Sequence, residues 1–334
     1  MKTDYKILTL CDGAASAETI DCAKRILCSV AAKSHAEFTF DDCSLSDICT
    51  ESETDALEKA KRAHAVLYAA TDDSRQKTAL TLLRKSLGLY AETRRYNSAV
   101  ATSTYSASNA DSKKEFDFIT VCDAASGICF GEQGYSNNPS FGREAYDVER
   151  YSELEIERVA RVAYELADRR HRILTLADKA DSMTTSKLWR KIVTDINEDY
   201  PYVRVDALST GEAAAKIVSE PYSQDVILTS NLFGSILNGM CSALADSDSV
   251  AQSSFGETAL GIYGVQTEGG SIYNNGETNP CGMILACADM LKNSFDLQTE
   301  ADIIEKATIR TMSQIRSSGS LPTAAVLEEI IKEL

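Results

Sequence analysis

The sequence predicts an α/β fold built on a largely parallel sheet, and three observations carry that expectation. Short β-like runs alternate with helical patterns almost throughout, the sign of βαβ units. The 334 residues, 44% of them hydrophobic, suffice for a large core in one big unit or two packed domains. No internal repeat or long linker breaks the alternation.

The first half of the chain sets the pattern. Lys6–Leu10 reads as a strand, Ser16–Lys33 as a helix, Ala36–Phe40 as a strand and Glu53–His64 as a second helix. Ala65–Ala70 returns to strand, and a helix follows from about Lys77 to Leu87. From Ala91 to Phe130 the chain grows richer in Ser, Thr and Asn, with strand-like stretches near Ala99 and Phe118, so a domain boundary is placed at 90/91.

The clearest helix starts at Ser152, where Ser152 and Glu155 form an S-x-x-E capping box that satisfies first-turn amides. Its expected core face is Ile156, Val159, Ala160, Ala163, Leu166 and Ala167, and Arg169, Arg170 and His171 suit the negative end of the helix dipole. Ile173–Ala177 is a strand. Leu188, Trp189, Ile192, Val193 and Ile196 make the next helical stripe. Strands at Val203–Leu208 and Val226–Thr229 flank a helix at Glu212–Val218. Asn279-Pro280 is an N-cap followed by proline at the first helical position, opening a helix to about Phe295.

Charge and composition exclude several function classes. With 34 basic against 50 acidic side chains the formal charge is −16, which opposes binding to nucleic acid or an anionic membrane. No apolar run approaches the roughly 20 residues of a membrane span, and Met1-Lys2-Thr3-Asp4 leads into the first strand without a signal-peptide h-region, so the expected location is the cytoplasm. Ten cysteines include no CxxC pair and are expected to be reduced, mostly buried thiols. Three scattered histidines give a His-rich metal site or a Ser-His-Asp triad little to draw on.

Five ordered segments carry a resemblance: LLRKSLGLYAETRR (82–95), YSELEIERVARVAYELADRR (151–170), DKADSMTTSKLWRKIVTDINEDYP (178–201), DVILTSNLFGSIL (225–237) and TNPCGMILACADMLKNSF (278–295). Together they resemble the isocitrate and isopropylmalate dehydrogenase family, more closely its 3-isopropylmalate dehydrogenase branch. The resemblance implies a two-domain, non-Rossmann α/β fold: 1–90 plus 246–334 as one domain, and 91–245 as a second that carries the dimer interface and an arm near Gly131–Tyr146. It implies oxidation and decarboxylation of a 2-hydroxy acid with NAD or NADP and Mg²⁺ or Mn²⁺, in a homodimer whose sites take residues from both subunits. The metal would polarise the hydroxyl and stabilise the enolate.

Carried over position by position, the resemblance assigns Arg84 and Arg94 to substrate carboxylates, a task that suits the guanidinium fork. It makes Tyr146 a proton donor and Lys179 part of the base system, and Asn279 a contact to the cofactor's adenine. The departures are as specific. Two metal aspartates of the family read Ser235 and Gly239 here, the third reads Gly211, and a substrate arginine reads Cys122. In the cofactor loop Gln266 and Ser271 stand at the histidine and selectivity positions; Ser271 keeps a hydroxyl for a ribose but no charge. Asp206, Asp246 and Asp248 lie near the missing metal positions, the first in a strand pattern and the others beyond the helix. With no carboxylate left in the metal set, the expectation is an impaired or non-catalytic homologue that binds a small carboxylic acid or a partner through the old cleft. An active enzyme with a rearranged site, or a regulatory subunit of an active paralogue, are the alternatives.

Overall fold

The computed structural model describes residues 3–49, 53–101, 115–245, 249–266, 279–318 and 323–334. In chain order the first elements are β1 (Thr3–Cys11), α1 (Gly13–Ala31), β2 (Ala36–Cys43), α2 (Glu53–Arg62), β3 (Ala65–Ala70) and α3 (Ser74–Ser86). There follow β4 (Ala91–Asn97), β5 (Asp117–Asp123), β6 (Gln133–Asn138), β7 (Gly142–Asp147), α4 (Glu153–Asp168), β8 (Ile173–Asp178), α5 (Thr184–Ile196), β9 (Arg204–Ser209) and α6 (Thr210–Ser219). The chain continues through β10 (Val226–Thr229), α7 (Asn231–Leu244), β11 (Ala251–Phe255), β12 (Ile262–Gln266), α8 (Cys281–Asn293), α9 (Gln298–Ser318) and α10 (Thr323–Glu333).

Two compact units form. One comprises Met1–Leu89, Thr93–Asp117 and Cys241–Leu334; the other comprises Tyr90–Glu92 and Phe118–Met240. The stretch from Thr93 to Asp117 therefore falls with the chain ends, whereas composition placed the change at 90/91. The physical reason is that β4 is anchored there, with Arg95 donating to Glu305 on α9 at 2.9 Å.

In the first unit the strand order is β2-β1-β3-β12-β11-β4. Pairing is parallel from β2 to β12 and antiparallel between β12 and β11. All six residues of β3 (AVLYAA) are buried, as a central strand covered on both faces requires. One face packs Ile7, Leu67 and Val265 against α1, α8, α9 and α10; the other packs Leu8, Val66 and Tyr68 against α2 and α3. Alternate residues of each strand thus enter opposite cores. Ile26 and Leu27 of α1 are fully buried, and truncating either would cost about 2–5 kcal/mol.

In the second unit β5-β10-β8-β9 are all parallel, and β6 and β7 form a separate antiparallel ribbon. The capping box is present: Ser152 Oγ accepts from Glu155 N, and the Glu155 carboxylate accepts from Ser152 N at 2.7 Å. The buried face of α4 contains Tyr164, with Leu166 only partly covered. Tyr164 wins the core position because its hydroxyl donates to Val193 O at 2.6 Å while its ring stacks on Tyr200.

Local chemistry moves three expected boundaries. Helix α3 begins at Ser74 rather than 77, because the Asp73 carboxylate accepts from Arg75 N at 2.7 Å and caps the first turn. The strand expected near Ala99 lies upstream at 91–97; Ala99 N donates to Asn97 Oδ1 and closes a turn. Helix α8 starts at Cys281, and Asn279 Oδ1 accepts from its amide at 3.0 Å. Of the thiols described, Cys22, Cys122, Cys241, Cys281 and Cys287 are buried, and Cys28 and Cys129 are exposed. Burial pushes the Cys22 thiol up to about 11. Among the described residues no helix is long and apolar enough to cross a membrane.

Candidate functional site

Arg84 lies in the last turn of α3, buried, with Nε donating to Ser254 Oγ on β11 at 3.0 Å. Arg94 is buried on β4. Successive strand residues face opposite ways, and Arg95 meets α9, so Arg94 points to the face that α3 covers. The two candidate carboxylate-binding arginines consequently share one face of the first unit's sheet. Asn279 is buried with both ends of its amide engaged, Nδ2 on Val100 O at 3.0 Å and Oδ1 on Cys281 N. Gln266 ends β12, paired with Ala70. Ser271 lies outside the described residues, as do Asp246 and Asp248.

In the second unit Tyr146 stands on β7 of the exposed ribbon, and its hydroxyl donates to Glu132 at 3.1 Å. That bond pushes the phenol's pKa up. Lys179 is exposed just beyond β8, where Asp178 accepts from Ala180 N at 3.0 Å and from Arg190 at 2.6 Å, shaping the turn. The Lys179 charge is among the influences that lower the Glu212 carboxyl, which chiefly accepts from Ser209 in a second capping box. No hydrogen bond joins Tyr146 to Lys179 among the described residues.

Ser235, Gly239 and Gly211, the positions that the resemblance assigns to metal aspartates, do not fit a divalent cation. Ser235 is exposed on α7, and its hydroxyl donates to Leu232 O at 2.9 Å. Gly239, one turn on, and Gly211, in the first turn of α6, have no side chain; a Cβ at either would meet nothing within 4 Å. Hard divalent cations need several anionic oxygens, and one neutral hydroxyl committed to its own helix is a poor start. Asp206 does not replace them: it lies on β9 paired with Arg204 at 2.9 Å. Among the described residues no group of three or more His, Cys, Asp or Glu side chains is arranged to hold a metal.

Residues 7–331 match the family model for isocitrate/isopropylmalate dehydrogenase. The chain belongs to the isocitrate/isopropylmalate dehydrogenase family. The 3-isopropylmalate dehydrogenase of Pseudoalteromonas translucida is 32% identical over 332 residues, covering 93% of this chain and 92% of the relative. That of Staphylococcus haemolyticus is 35% identical over 289 residues, covering 84% and 82%. Among solved structures, isocitrate dehydrogenase from Methylococcus capsulatus matches with a TM-score of 0.81 at 21% identity, over 98% of this chain and 99% of that one. A β-decarboxylating dehydrogenase from Thermococcus kodakarensis matches at 0.75 and 24% identity, over 98% and 96%. These structural likenesses establish the isopropylmalate dehydrogenase-like fold. Members of the family use NAD and a divalent metal and are typically dimers.

Cys122, which the resemblance sets at the position of a substrate arginine, is buried on β5. Asn238 Nδ2 donates to its sulfur at 3.8 Å while Asn238 Oδ1 accepts from Thr120 at 2.7 Å. Cys122 is thus part of an internally bonded network with Asn238 and Thr120. Next to it is a polar nest that the sequence reading missed. Asp123 Oδ2 accepts from Ser126 N at 2.7 Å, Asn231 Nδ2 donates to Ser126 O, and Arg158 stacks on Tyr90 with its guanidinium 4.5 Å from the ring centre. Burial pushes the Asp123 carboxyl up to about 6 against the opposing pull of the Ser126 and Ala125 amides. Gly127, at φ +70°, passes so close to the Tyr151 hydroxyl that any Cβ would collide with it. The available signal was an aspartate at a strand end followed by Ser-Gly; hydropathy does not register it.

Proposed function

We propose that this protein is a 3-isopropylmalate dehydrogenase-type homologue, a dimer whose metal-dependent oxidative decarboxylation is impaired or absent and which binds a small carboxylic acid through Arg84 and Arg94. The observation that carries the reading is the donor set at Ser235, Gly239 and Gly211, which supplies no carboxylate. A divalent metal in this family supplies charge for polarising a hydroxyl and stabilising an enolate; this chain offers nothing there to hold one. The neutral Cys122–Asn238 contact supports the same reading, since it leaves one fewer fixed cation for a substrate carboxylate.

What the chain's own residues supply is recognition. Arg84 and Arg94 are planar, permanently charged donors suited to a carboxylate, and Arg84 is oriented by Ser254. Lys179 and Tyr146 are the candidate proton-handling residues, with Asn279 and Ser271 the candidate cofactor contacts. Their retention supports the second reading, an active NAD- or NADP-dependent oxidoreductase with a rearranged site.

The deciding assay offers purified protein 3-isopropylmalate, isocitrate, malate and tartrate with either nicotinamide cofactor and Mg²⁺ or Mn²⁺. The expected result is no cofactor reduction above a Lys179→Ala control, alongside calorimetric binding of at least one acid that Arg94→Ala abolishes. Metal-dependent reduction lost in Lys179→Ala would overturn the proposal in favour of the active enzyme. Activity that appears only on mixing with an intact paralogue would replace it with the regulatory-subunit reading.

A further inference from the structure

Strands β4 and β11, which carry Arg94 and the Ser254 that holds Arg84 on one face, carry a compact charge cluster on the other. On β4, Arg95 is the neighbour of Arg94 and faces away from it. Its guanidinium donates to Glu305 of α9 at 2.9 Å and lies 3.6 Å from Asp117 at the start of β5, with 11% of the side chain exposed. On β11, Ser254 accepts from Arg84 while its neighbour Ser253 donates to Asp289 of α8 at 3.1 Å. Ser253 and Ser254 are each 1% exposed, so neither strand can shift without disturbing both faces.

We propose that Arg95, Glu305 and Asp289 form a brace behind β4 and β11, which positions Arg94 and Arg84 on the opposite face. The positioning part rests on the carboxylate-binding reading of those two arginines. One guanidinium meets Glu305 and Asp117 directly and feels Asp289 electrostatically, so the cluster, whose three carboxylates are all part-buried, carries excess negative charge. The charged and titratable groups that act on Asp289 electrostatically are Arg95 from β4, Glu305 from α9 and the Tyr263 phenol from β12, with Lys292 and Cys287 on its own helix. Tyr263 and Cys287 stay neutral across the range considered, because burial pushes both upward.

The direction of the response follows from linkage. Burial pushes the Asp289 carboxyl from 3.8 up to about 6; Arg95 opposes this and Glu305 adds to it. The native carboxyl therefore holds its proton more tightly than the unfolded chain does. The stability it contributes is complete below pH 4, is lost as pH rises to about 6, and is constant above. When Asp289 ionises it repels Glu305, which the stronger bond it then accepts from Ser253 offsets only in part, and α8 and α9 loosen their hold on the two strands.

The test is amide hydrogen exchange at 91–97 and 251–255 in the full-length protein between pH 4.5 and 7.5, corrected for the intrinsic rate. Protection in the wild type is expected to fall about tenfold across that range. Asp289→Asn is expected to keep its low-pH protection throughout. Glu305→Gln, which retains a hydrogen-bonding partner for Arg95 and removes the repulsion, is expected to move the midpoint to lower pH. A wild-type profile matched by Asp289→Asn, or an unmoved midpoint in Glu305→Gln, would overturn the brace. Calorimetry with 3-isopropylmalate at both ends of the range tests positioning. If wild type fails to bind, or Arg84→Ala and Arg94→Ala bind as it does, the carboxylate reading fails and the exchange data alone judge the brace. If those variants lose binding while Asp289→Asn keeps the wild-type pH dependence of affinity, positioning fails.

Discussion

The Ser235 hydroxyl donates to the Leu232 carbonyl within the same helix, 2.9 Å away. The only side-chain oxygen left at the aligned metal positions is thus turned onto its own backbone, while Gly239 and Gly211 leave their surroundings open. Adding acids should therefore restore a cation site at little steric cost. The triple variant Ser235→Asp, Gly239→Asp, Gly211→Asp is expected to gain about 2–3 kcal/mol of stability from Mn²⁺ at a hundredfold excess over its Kd. Differential scanning calorimetry checks this, and the wild type should show no shift at the same millimolar concentration.

Asp123 sets a pH dependence of its own. Its native carboxyl sits near 6, above the unfolded value of 3.8, so ionising it costs the folded state. Asp123→Asn should stabilise the protein relative to wild type by a margin that is smallest at pH 4, grows to about 2 kcal/mol by pH 7 and then levels off. Urea unfolding at a series of pH values measures that margin. A margin independent of pH would show that the carboxyl titrates normally.

Asp225 ties the start of β10 to the segment that links α4 to β8. Its side chain, 1% exposed, accepts from Arg170 Nε at 2.8 Å and from the amides of His171 and Ile173 at 3.0 and 3.2 Å. Asp225→Ala should destabilise the fold by about 3 kcal/mol, because it removes the buried acceptor shared by Arg170 Nε and two backbone amides. Asp225→Asn should cost less, since one amide oxygen remains. Denaturant midpoints at an unchanged m-value would check both.

Tyr135 and Phe141, on the β6/β7 ribbon, are 80% and 84% exposed. Apolar rings on a two-stranded ribbon need cover, and the family's dimeric habit supplies a surface for it. Light scattering is expected to find a dimer at micromolar concentration. Tyr135→Asp with Phe141→Asp should shift it toward monomer without changing far-ultraviolet circular dichroism; a wild-type monomer would end this expectation.

Strands and helices whose burial follows hydropathy were legible in the sequence: β3 as an unbroken apolar run, α4 by its capping box and stripe, β8 and β10 by their positions between helices. β11 is not legible in the sequence because its residues are mostly polar. Gln252, Ser253 and Ser254 are all about 1% exposed, yet they are buried against Tyr68, Asp289 and Arg84, partners distant in sequence. The candidate arginines were found through family motifs, but the face they share is a property of strand alternation and the packing of α3. Asp123 was passed over for a similar reason: its significance lies in the amides that surround it, which no spacing rule announces.

The distribution of thiols gives the protein a built-in chemical reporter. In the native state a maleimide or nitrobenzoate reagent meets Cys28 and Cys129 at the surface, whereas Cys281 and Cys287 are sealed in the first unit and Cys122 in the second. Labelling kinetics at those three sites, resolved by mass spectrometry, would time the opening of each unit separately, without a fluorophore or an engineered residue.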